Sequence, residues 1–216
     1  KTIIENSVQK LLDSKLFNKI ILVSHKELMN STKHLFNDKK IKIISGGKTR
    51  QESVFFGLKE AKKNDPKYVF IHDSVRPFFS LNLLKTIMSN LKNNYGVIPS
   101  INVHDSVRYF KSKCYKDVPR DNLKLIQTPQ GFCFNSIYEA HKKVRKSIYT
   151  DDSLILYEFK NKIKIIKGEK LNFKITTKED FEIGKLLAKG INDMSQIRVG
   201  TGFDVHKFKS GKFLKL

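Results

Sequence analysis

The sequence predicts an α/β fold, with a Rossmann-like, mostly parallel sheet and helices on both of its faces. Short apolar runs of strand length alternate with segments whose apolar residues recur at helical spacing, which is typical of a parallel sheet covered by helices. The strand-like runs are residues 19–24, 41–44, 68–71 and 95–98, and the helix-like segments are residues 2–14, 26–36, 50–63 and 81–92.

Capping signals indicate where the clearest helices begin. Thr2 with Glu5, and Thr49 with Glu52, have the three-residue spacing at which a hydroxyl and a carboxylate satisfy the free N–H groups of a helix start. In the second half we predict helices over residues 135–145, 153–159 and 177–188, the last capped by Thr177 and stopped by Gly190, and a strand over residues 163–166.

The segment of residues 101–132 differs from the rest of the chain. It shows no helical periodicity and carries Lys, Arg, Asp and Pro between short extended runs. We therefore predict that it forms a β-arm that protrudes from the sheet.

Composition limits the class of protein. Hydrophobic residues make up 39% of the 216 residues, which is enough for a core. No apolar run approaches the ~20 residues of a membrane span, and the N-terminus lacks the apolar region of a secretory signal. The two cysteines form neither a disulfide framework nor a CxxC pair. We expect a cytoplasmic protein that binds no membrane.

Net charge is the extreme feature of the composition. The 42 Lys and Arg residues outnumber the 21 Asp and Glu residues, for a net charge of +21. Such a charge attracts nucleic acid, nucleotides or phosphorylated substrates. The lysines, however, are scattered along the chain and are not clustered with stacking aromatic residues. A solvated surface that gathers small anionic substrates is favoured, and a nucleic-acid-binding module is kept as an alternative.

The ends of the sequence predict a fragment. The chain lacks an initiator Met, and residues 211–216 resemble the start of a strand. We expect a first domain over residues 1–189, a linker over residues 190–196 and the beginning of a second α/β domain over residues 197–216.

Two turns after predicted strands carry chemical signals. In residues 45–53, two glycines precede a capped helix, so a ligand can approach the backbone and the free N–H groups, although an ordinary βα turn explains the pattern too. In residues 70–78, an apolar strand ends at Asp73, at the edge where open α/β sheets bind ligands. Asp73 can hold Mg²⁺ together with phosphates, and Arg76 can bind anionic oxygens, or the two can simply pair with each other.

Later segments add hydroxyl and basic groups. The arm carries Ser106, Arg120 and Thr128, which suit phosphate binding but alone favour a solvated hairpin. Thr150 precedes two acidic residues that are typical of a helix N-cap. Lys174 lies in an extended apolar run, where it either reaches solvent or directs its ammonium group at a phosphate.

Asp204 and His206 form a separate candidate metal pair. Residues two apart on a strand point to the same face, so this carboxylate and imidazole can reach one Zn²⁺ or a similar divalent ion. A catalytic zinc site needs a third protein ligand, and no obvious one follows His206.

Taken in order, five segments resemble the 2-C-methyl-D-erythritol 4-phosphate cytidylyltransferase family. They are GGKTRQESV, HDSVRPF, IQTPQGF, TDDS and the predicted strand NFKIT, and the resemblance covers about residues 1–188. The tail VGTGFDVHKF resembles the opening of the 2-C-methyl-D-erythritol 2,4-cyclodiphosphate synthase family, which is fused to the first family in some bacteria. The chain thus resembles a piece of the bifunctional protein, cut early in its second domain.

The resemblance implies a reaction and an assembly. CTP and methylerythritol phosphate give the cytidine diphosphate derivative and pyrophosphate, with Mg²⁺, on the non-mevalonate route to isoprenoid precursors. The substrate phosphate attacks the α-phosphorus of CTP, while the protein positions the reactants and neutralises charge. A homodimer formed through the 101–132 arm is also implied.

The resemblance further implies roles for individual residues. Lys174, Asp73 and Arg120 are the implied catalytic residues, and Asp73 also binds Mg²⁺. The implied substrate contacts are Gly47 and Ser53 on the cytidine, Ser74 beside Asp73, Arg76 and Ser106 on the methylerythritol part, and Thr128 and Thr150 on its phosphate. Asp204 and His206 are implied as two of three metal ligands of the second enzyme.

The sequence departs from the family pattern at three points. Lys48 stands where an acidic residue is frequent, and Ser106 replaces a Thr but keeps the hydroxyl. The family's glycine-rich loop, whose Arg and Lys grip the triphosphate, and its first strand would precede Lys1. We expect residues 1–216 alone to be poorly active, because two lost charge-assisted contacts of ~1.5–3 kcal/mol each lower the rate by orders of magnitude.

Two other functions remain open at this point. Ribitol-5-phosphate cytidylyltransferase shares the fold and several motifs, although the FDVH tail argues against it. A noncatalytic dimerisation remnant is also compatible with a truncated chain.

Overall fold

The structure, a computed structural model, describes residues 1–92, 95–111, 114–144 and 149–193, without the side chains of residues 191–193. The chain divides into a first unit, residues 1–175, and a second unit that begins at residue 176.

The first unit confirms the predicted α/β fold, with six helices and nine strands in its described residues. The helices are α1 (Ile3–Asp13), α2 (Met29–Leu35), α3 (Arg50–Lys62), α4 (Leu81–Leu91), α5 (Phe134–Lys143) and α6 (Asp152–Glu158). The strands are β1 (Ile20–Ser24), β2 (Ile41–Ser45), β3 (Tyr68–Ile71), β4 (Gly96–Asn102), β5 (Val107–Lys111), β6 (Cys114–Val118), β7 (Lys124–Ile126), β8 (Gln130–Cys133) and β9 (Ile163–Lys167). Short 3₁₀ turns occupy Lys26–Leu28 and Arg120–Asn122.

Three sheets organise these strands. Strands β1 and β2 form a parallel pair. The main sheet has β4 at its centre, with β9 parallel to it on one side and β8 antiparallel to it on the other. Strand β3 lies beyond β8 and is antiparallel to it, so β3 runs in the same direction as β4. Strand β7 pairs antiparallel with the C-terminal end of β4. Strands β5 and β6 form a separate antiparallel hairpin. Across the described ranges, no backbone ladder joins the β1–β2 pair to the main sheet.

The predicted arm is too wide. Among the described residues of the 101–132 segment, only β5 and β6 form a separate pair, whereas Ile101 and Asn102 end β4, and β7 and β8 belong to the main sheet. The physical reason is burial: β8 lies between β3 and β4, and its Phe132 is fully buried. A four-residue strand that follows a proline and contains Gly131 carries too weak a local signal to reveal this central position.

Apolar side chains cover both faces of the main sheet, as predicted. On one face, Val69 and Ile71 of β3 belong to a core with residues of α3, α5 and α6. On the other face, Tyr68 and Phe70 of the same strand pack against a core built mainly from α4. Alternate residues of β3 therefore serve opposite cores, which fixes the register of this strand.

Gly131 marks the closest approach between β8 and α4. A Cβ atom there would lie 2.4 Å from Cγ2 of Ile87 and 2.9 Å from Cδ1 of Leu91. We expect Gly131→Ala to lower the free energy of unfolding by about 1–3 kcal/mol, because the added methyl group overpacks this contact. Chemical denaturation measures the loss. Gly190→Ala is the control, since a Cβ there meets nothing within 4 Å; an equal loss in both variants contradicts the explanation.

In the second unit, the structure describes helix α7 (Lys178–Asp193). The predicted cap is confirmed, because the hydroxyl of Thr177 accepts the N–H of Asp180 at 3.1 Å. The predicted stop at Gly190 is wrong, since the helix continues to Asp193. A glycine stop uses positive φ, and no described glycine has it.

Several predictions fall outside the part of the chain that the structure describes. These are residues 194–196 of the linker, the second domain from residue 197, and its candidate metal ligands Asp204 and His206. The domain boundaries stay predictions. Among the described helices, none combines the length and the apolar character that crossing a bilayer requires.

Candidate active site

The turn between β2 and α3 forms one wall of the site. The N–H of Gly46 donates to the carbonyl of Ser24 at 2.8 Å, which ties the turn to the end of β1. The N–H of Gly47 donates to Oγ of Ser53 at 3.1 Å, and this hydroxyl donates to the carbonyl of Thr49 at 2.9 Å. Gly47 and Ser53 therefore lie together, while their contact with cytidine stays a prediction.

The start of α3 is doubly capped. Thr49 accepts the N–H of Glu52 at 3.1 Å, as predicted, and the Glu52 carboxylate accepts the N–H of Lys48 at 2.7 Å. A Cβ on Gly47 would lie 2.4 Å from Cβ of Glu52, so this returning side chain requires glycine at that position. Capping thereby fixes the direction in which the first helical residue, Arg50, leaves the turn.

Asp73 lies at the centre of a cluster of cations, immediately after β3. Its Oδ1 is 3.4 Å from both Nε and a terminal nitrogen of Arg50. Its Oδ2 is 3.8 Å from Nε of Arg76 and 3.7 Å from Nζ of Lys174. One mostly buried carboxylate thus faces three positive side chains.

Lys174 lies beside Asp73, although its segment has a different structure from the one predicted. Residues 172–176 form no strand. Instead the side chain of Asn172 donates to the carbonyl of Thr128 at 2.9 Å, and the N–H of Ile175 donates to the carbonyl of Val75 at 2.9 Å. One side-chain and one backbone hydrogen bond hold this segment in place of a ladder, and the Lys174 side chain lies 46% exposed beside Asp73.

Arg76 is held by backbone carbonyl groups. Its terminal nitrogens donate to the carbonyls of Asn172 at 3.0 Å and of Ile126 at 3.5 Å. Burial lowers the pKa of Arg76, and the charge of Asp73 opposes this shift. The guanidinium is therefore fixed in orientation with its Nε toward Asp73, and its predicted substrate contact stays a prediction.

Thr128 positions the backbone of Asp73. Its buried hydroxyl accepts the N–H of Asp73 at 3.0 Å and lies 3.0 Å from Nδ1 of His72. The hydroxyl of Thr128 thus contacts two protein groups, the N–H of Asp73 and the ring of His72. The predicted contact of Thr128 with a substrate phosphate stays a prediction.

His72 makes stability depend on pH. Burial lowers its pKa from 6.5 to about 4. The unfolded chain therefore binds more protons between these values, so the stability that the neutral imidazole contributes is complete above pH 6.5 and is lost as pH falls toward 4. Between pH 7 and 4.5 we expect a loss of about 2 kcal/mol from this group, measured by urea denaturation.

The variant His72→Gln should lack this part of the pH dependence. His34→Gln, at an exposed position, is the matched control and should keep the wild-type profile. Identical pH profiles for all three proteins would contradict the assignment to His72.

A buried network behind Arg50 was not predicted from the sequence. A terminal nitrogen of Arg50 lies 2.9 Å from Oδ2 of Asp152, and Nε2 of His141 lies 3.1 Å from Oδ1 of the same carboxylate. Burial lowers the pKa of Arg50, but the carboxylates of Asp152 and Asp73 outweigh it, so the net shift is upward. Arg50 is consequently a permanent cation that bridges two carboxylates.

The TDDS segment indicated a helix cap but not the buried carboxylate that contacts Arg50. Asp151 is the N-cap of α6, as its position predicts, and accepts the N–H of Ser153 at 2.7 Å. Asp152 instead turns inward and is fully buried. Thr150 is exposed just before them, so its predicted role is not tested by a contact.

The remaining predicted residues lie at the surface. Ser74 is exposed beside Asp73, and its carbonyl accepts the hydroxyl of Ser7 at 2.7 Å. Ser106 is exposed before β5, and Arg120 donates to the carbonyl of His104 at 2.6 Å, at the rim of a cavity of about 240 Å³. Within the described ranges, no hydrogen bond or ion pair joins Ser106 or Arg120 to Asp73.

The side chains of this site can hold a metal ion only if a bound ligand supplies further oxygen atoms. Within the described ranges, no three His, Cys, Asp or Glu side chains gather as a metal site would require. Asp73 provides a single carboxylate, and its contacts with the three cations are long, at 3.4–3.8 Å. This fits Mg²⁺, which commonly takes one or two carboxylates and completes its shell with phosphates and water.

Comparison with known proteins agrees with this geometry. The family model of IspD, 2-C-methyl-D-erythritol 4-phosphate cytidylyltransferase, matches residues 1–189. The chain is 42% identical over 216 residues to the bifunctional enzyme IspD/IspF of Pelagibacter ubique (strain HTCC1062), an alignment that covers 100% of this chain and 55% of that protein. The chain thus spans about half the length of the curated relatives it matches.

Solved structures give the same result. The crystal structure of 4-diphosphocytidyl-2C-methyl-D-erythritol synthase from Anaerococcus prevotii DSM 20548 matches with a TM-score of 0.79 at 31% identity, over 88% of this chain and 90% of that one. The bifunctional IspDF from Campylobacter jejuni matches with a TM-score of 0.74 at 27% identity, over 84% of this chain and 46% of that one. With its family model, its relatives and its cluster at Asp73 in agreement, the chain belongs to the 2-C-methyl-D-erythritol 4-phosphate cytidylyltransferase (IspD) family.

Proposed function

We propose that the protein transfers CMP from CTP to 2-C-methyl-D-erythritol 4-phosphate and releases pyrophosphate. The carrying observation is the convergence of Arg50, Arg76 and Lys174 on the single carboxylate of Asp73, at 3.4–3.8 Å. Fixed cations suit this chemistry, because transfer at phosphorus depends on positioning and on neutralising negative charge. Family membership supports the choice of substrates.

The reaction requires little covalent chemistry from the protein. An oxygen of the substrate phosphate bonds to the α-phosphorus of CTP, and the bond from this phosphorus to the β-phosphate oxygen breaks. Lys174, with its half-exposed ammonium, stabilises charge on the phosphates during this exchange. Asp73 orients the substrate and holds Mg²⁺, while the turn at Gly47 and Ser53 receives the cytidine. When bound, Mg²⁺ neutralises phosphate charge.

The proposal extends to the assembly. Ser106 and Arg120 lie on the arm side of the fold and, in a homodimer, serve the partner's substrate together with Thr150. The relatives named as bifunctional IspD/IspF support a second, cyclodiphosphate-forming activity in the complete protein, with Asp204 and His206 among its metal ligands. We place the protein in the cytoplasm.

The test is a transfer assay on the complete protein that contains this chain. With CTP, Mg²⁺ and methylerythritol phosphate, ³¹P NMR should show pyrophosphate and, in equal amount, the two coupled resonances of a new diphosphate diester. Ribitol 5-phosphate at the same concentration should compete poorly. Faster turnover of ribitol 5-phosphate, or no pyrophosphate with either substrate, would refute the proposal. Residues 1–216 assayed alongside test the expectation that they are poorly active.

A further inference from the structure

The network behind Arg50 extends the site into the core of the first unit. We propose that Asp152 is a positioning residue that acts through Arg50 on Asp73, with His141 holding Asp152 in place. The kinetic part of this inference rests on the proposed function, whereas the structural part does not.

The first step is the burial of the pair. Asp152 and His141 have side chains that are 1% and 0% exposed, and Nε2 of His141 lies 3.1 Å from Oδ1 of Asp152. The ring of His141 also stacks on Phe55, with ring centroids 6.2 Å apart. Packing therefore holds the imidazole of His141 in one orientation, and the imidazole in turn holds Oδ1 of Asp152 in place.

The second step is that the Arg50 guanidinium contacts two carboxylates through different nitrogen atoms. One terminal nitrogen lies 2.9 Å from the free oxygen of Asp152, while Nε and the other terminal nitrogen lie 3.4 Å from Oδ1 of Asp73. The guanidinium is planar and rigid, so fixing one edge fixes the direction of the other. Asp152 thus determines the edge that Arg50 presents to Asp73.

The third step concerns Asp73 itself. With Oδ1 facing Arg50, Oδ2 is directed toward Lys174 at 3.7 Å and Arg76 at 3.8 Å. Without Asp152, Arg50 can follow Asp73 or swing toward solvent, because its side chain is 36% exposed. The carboxylate then loses its fixed orientation, and a displacement of about 1 Å at a reacting group can lower a rate by about 100-fold.

A stabilising role alone does not account for this arrangement. Buried ion pairs commonly contribute little net stability, because desolvation offsets their attraction. In some proteins such pairs are retained because they enforce one geometry. If the ion pair of Asp152 and Arg50 only stabilised the core, Arg50 would not also need to contact Asp73 in the partly exposed cluster at the sheet edge.

The kinetic experiment is a double-mutant cycle in the complete protein. We expect Asp152→Asn to lower kcat/KM by about 10- to 100-fold and Arg50→Gln at least as much. Because Asp152 acts through Arg50, the double variant should lie within about twofold of Arg50→Gln alone. The control Asp151→Asn keeps the helix cap and should stay within about twofold of wild type. Losses that multiply in the double variant overturn the inference.

A second readout does not depend on catalysis. In ¹H–¹⁵N spectra of the complete protein, the Nε–H of Arg50 should exchange with solvent at least about tenfold faster in Asp152→Asn than in wild type or Asp151→Asn. If this shift occurs while the complete protein transfers no CMP, the proposed function fails and the positioning of Arg50 stands. If exchange is unchanged, or if it speeds up while kcat/KM stays at the wild-type value, the inference fails.

His141→Gln tests the same inference where Asp152→Asn does not fold. It leaves the ion pair of Asp152 with Arg50 intact but removes the imidazole from Oδ1. We expect a smaller loss in kcat/KM, about 3- to 10-fold, that disappears in the Arg50→Gln background. An undiminished loss in that background overturns the role of the network.

Discussion

Lys174→Met is expected to lower kcat for cytidylyl transfer by about 10²- to 10³-fold, the usual effect of removing one group that stabilises transition-state charge. The ammonium group lies 3.7 Å from Asp73 and is half-exposed, so it can leave this carboxylate for a phosphate. Met keeps most of the length and packing of the side chain. Steady-state kinetics with saturating CTP measures the effect.

The fold should tolerate this change. Exposed substitutions usually alter the free energy of unfolding by less than about 0.5 kcal/mol. Lys170→Met, at an exposed position on the same segment, is the matched control and should leave kcat at the wild-type value. Equal losses in the two variants would show that general positive charge, and not the position of Lys174, supports turnover.

Asp73→Asn is expected to separate binding from turnover. The variant keeps the size of the side chain but removes the negative charge that faces Arg50, Arg76 and Lys174. Turnover should fall by about 10²- to 10³-fold, because the group that orients substrate and Mg²⁺ has lost its charge. In the absence of metal, CTP should bind about fivefold more tightly, since a repulsion of about 1 kcal/mol disappears.

Calorimetry in EDTA at two salt concentrations measures this affinity. The gain should shrink at high salt, because screening weakens an interaction between partly exposed charges. Asp13→Asn, an exposed acid on α1, controls for the change in net charge. Weaker metal-free CTP binding in Asp73→Asn would contradict an electrostatic role for the carboxylate.

The sequence predicted the elements that carry their own local signals. Helix α1 begins at the predicted box, in which Thr2 and Glu5 exchange hydrogen bonds at 2.6 and 3.3 Å. Asp73 could be placed at the functional edge because it ends an apolar strand, a pattern visible within a few residues. Its neighbour Lys174 required the family resemblance, because the intervening chain carries no local signal of their contact.

The features that were missed depend on partners distant in sequence. Asp152 has the local signal of a capping acid, and only the tertiary fold brings it to Arg50 and His141. Strand β8 has little strand propensity of its own, and its central place follows from ladders with β3 and β4. At residues 172–176, an apolar run resembles a strand, but the carbonyl of Asn172 accepts from the side chains of Arg76 and Gln127 and not from a neighbouring strand.

The contact between Arg50 and Asp73 links the ends of two strands. Arg50 follows β2 and Asp73 follows β3, and a terminal nitrogen of Arg50 lies 3.4 Å from Oδ1 of Asp73. Because each side chain begins where its strand ends, a shift of either strand changes the distance between the two charged groups. Substitutions in the cores beneath β2 or β3 can therefore alter the cluster at Asp73 without touching any of its members.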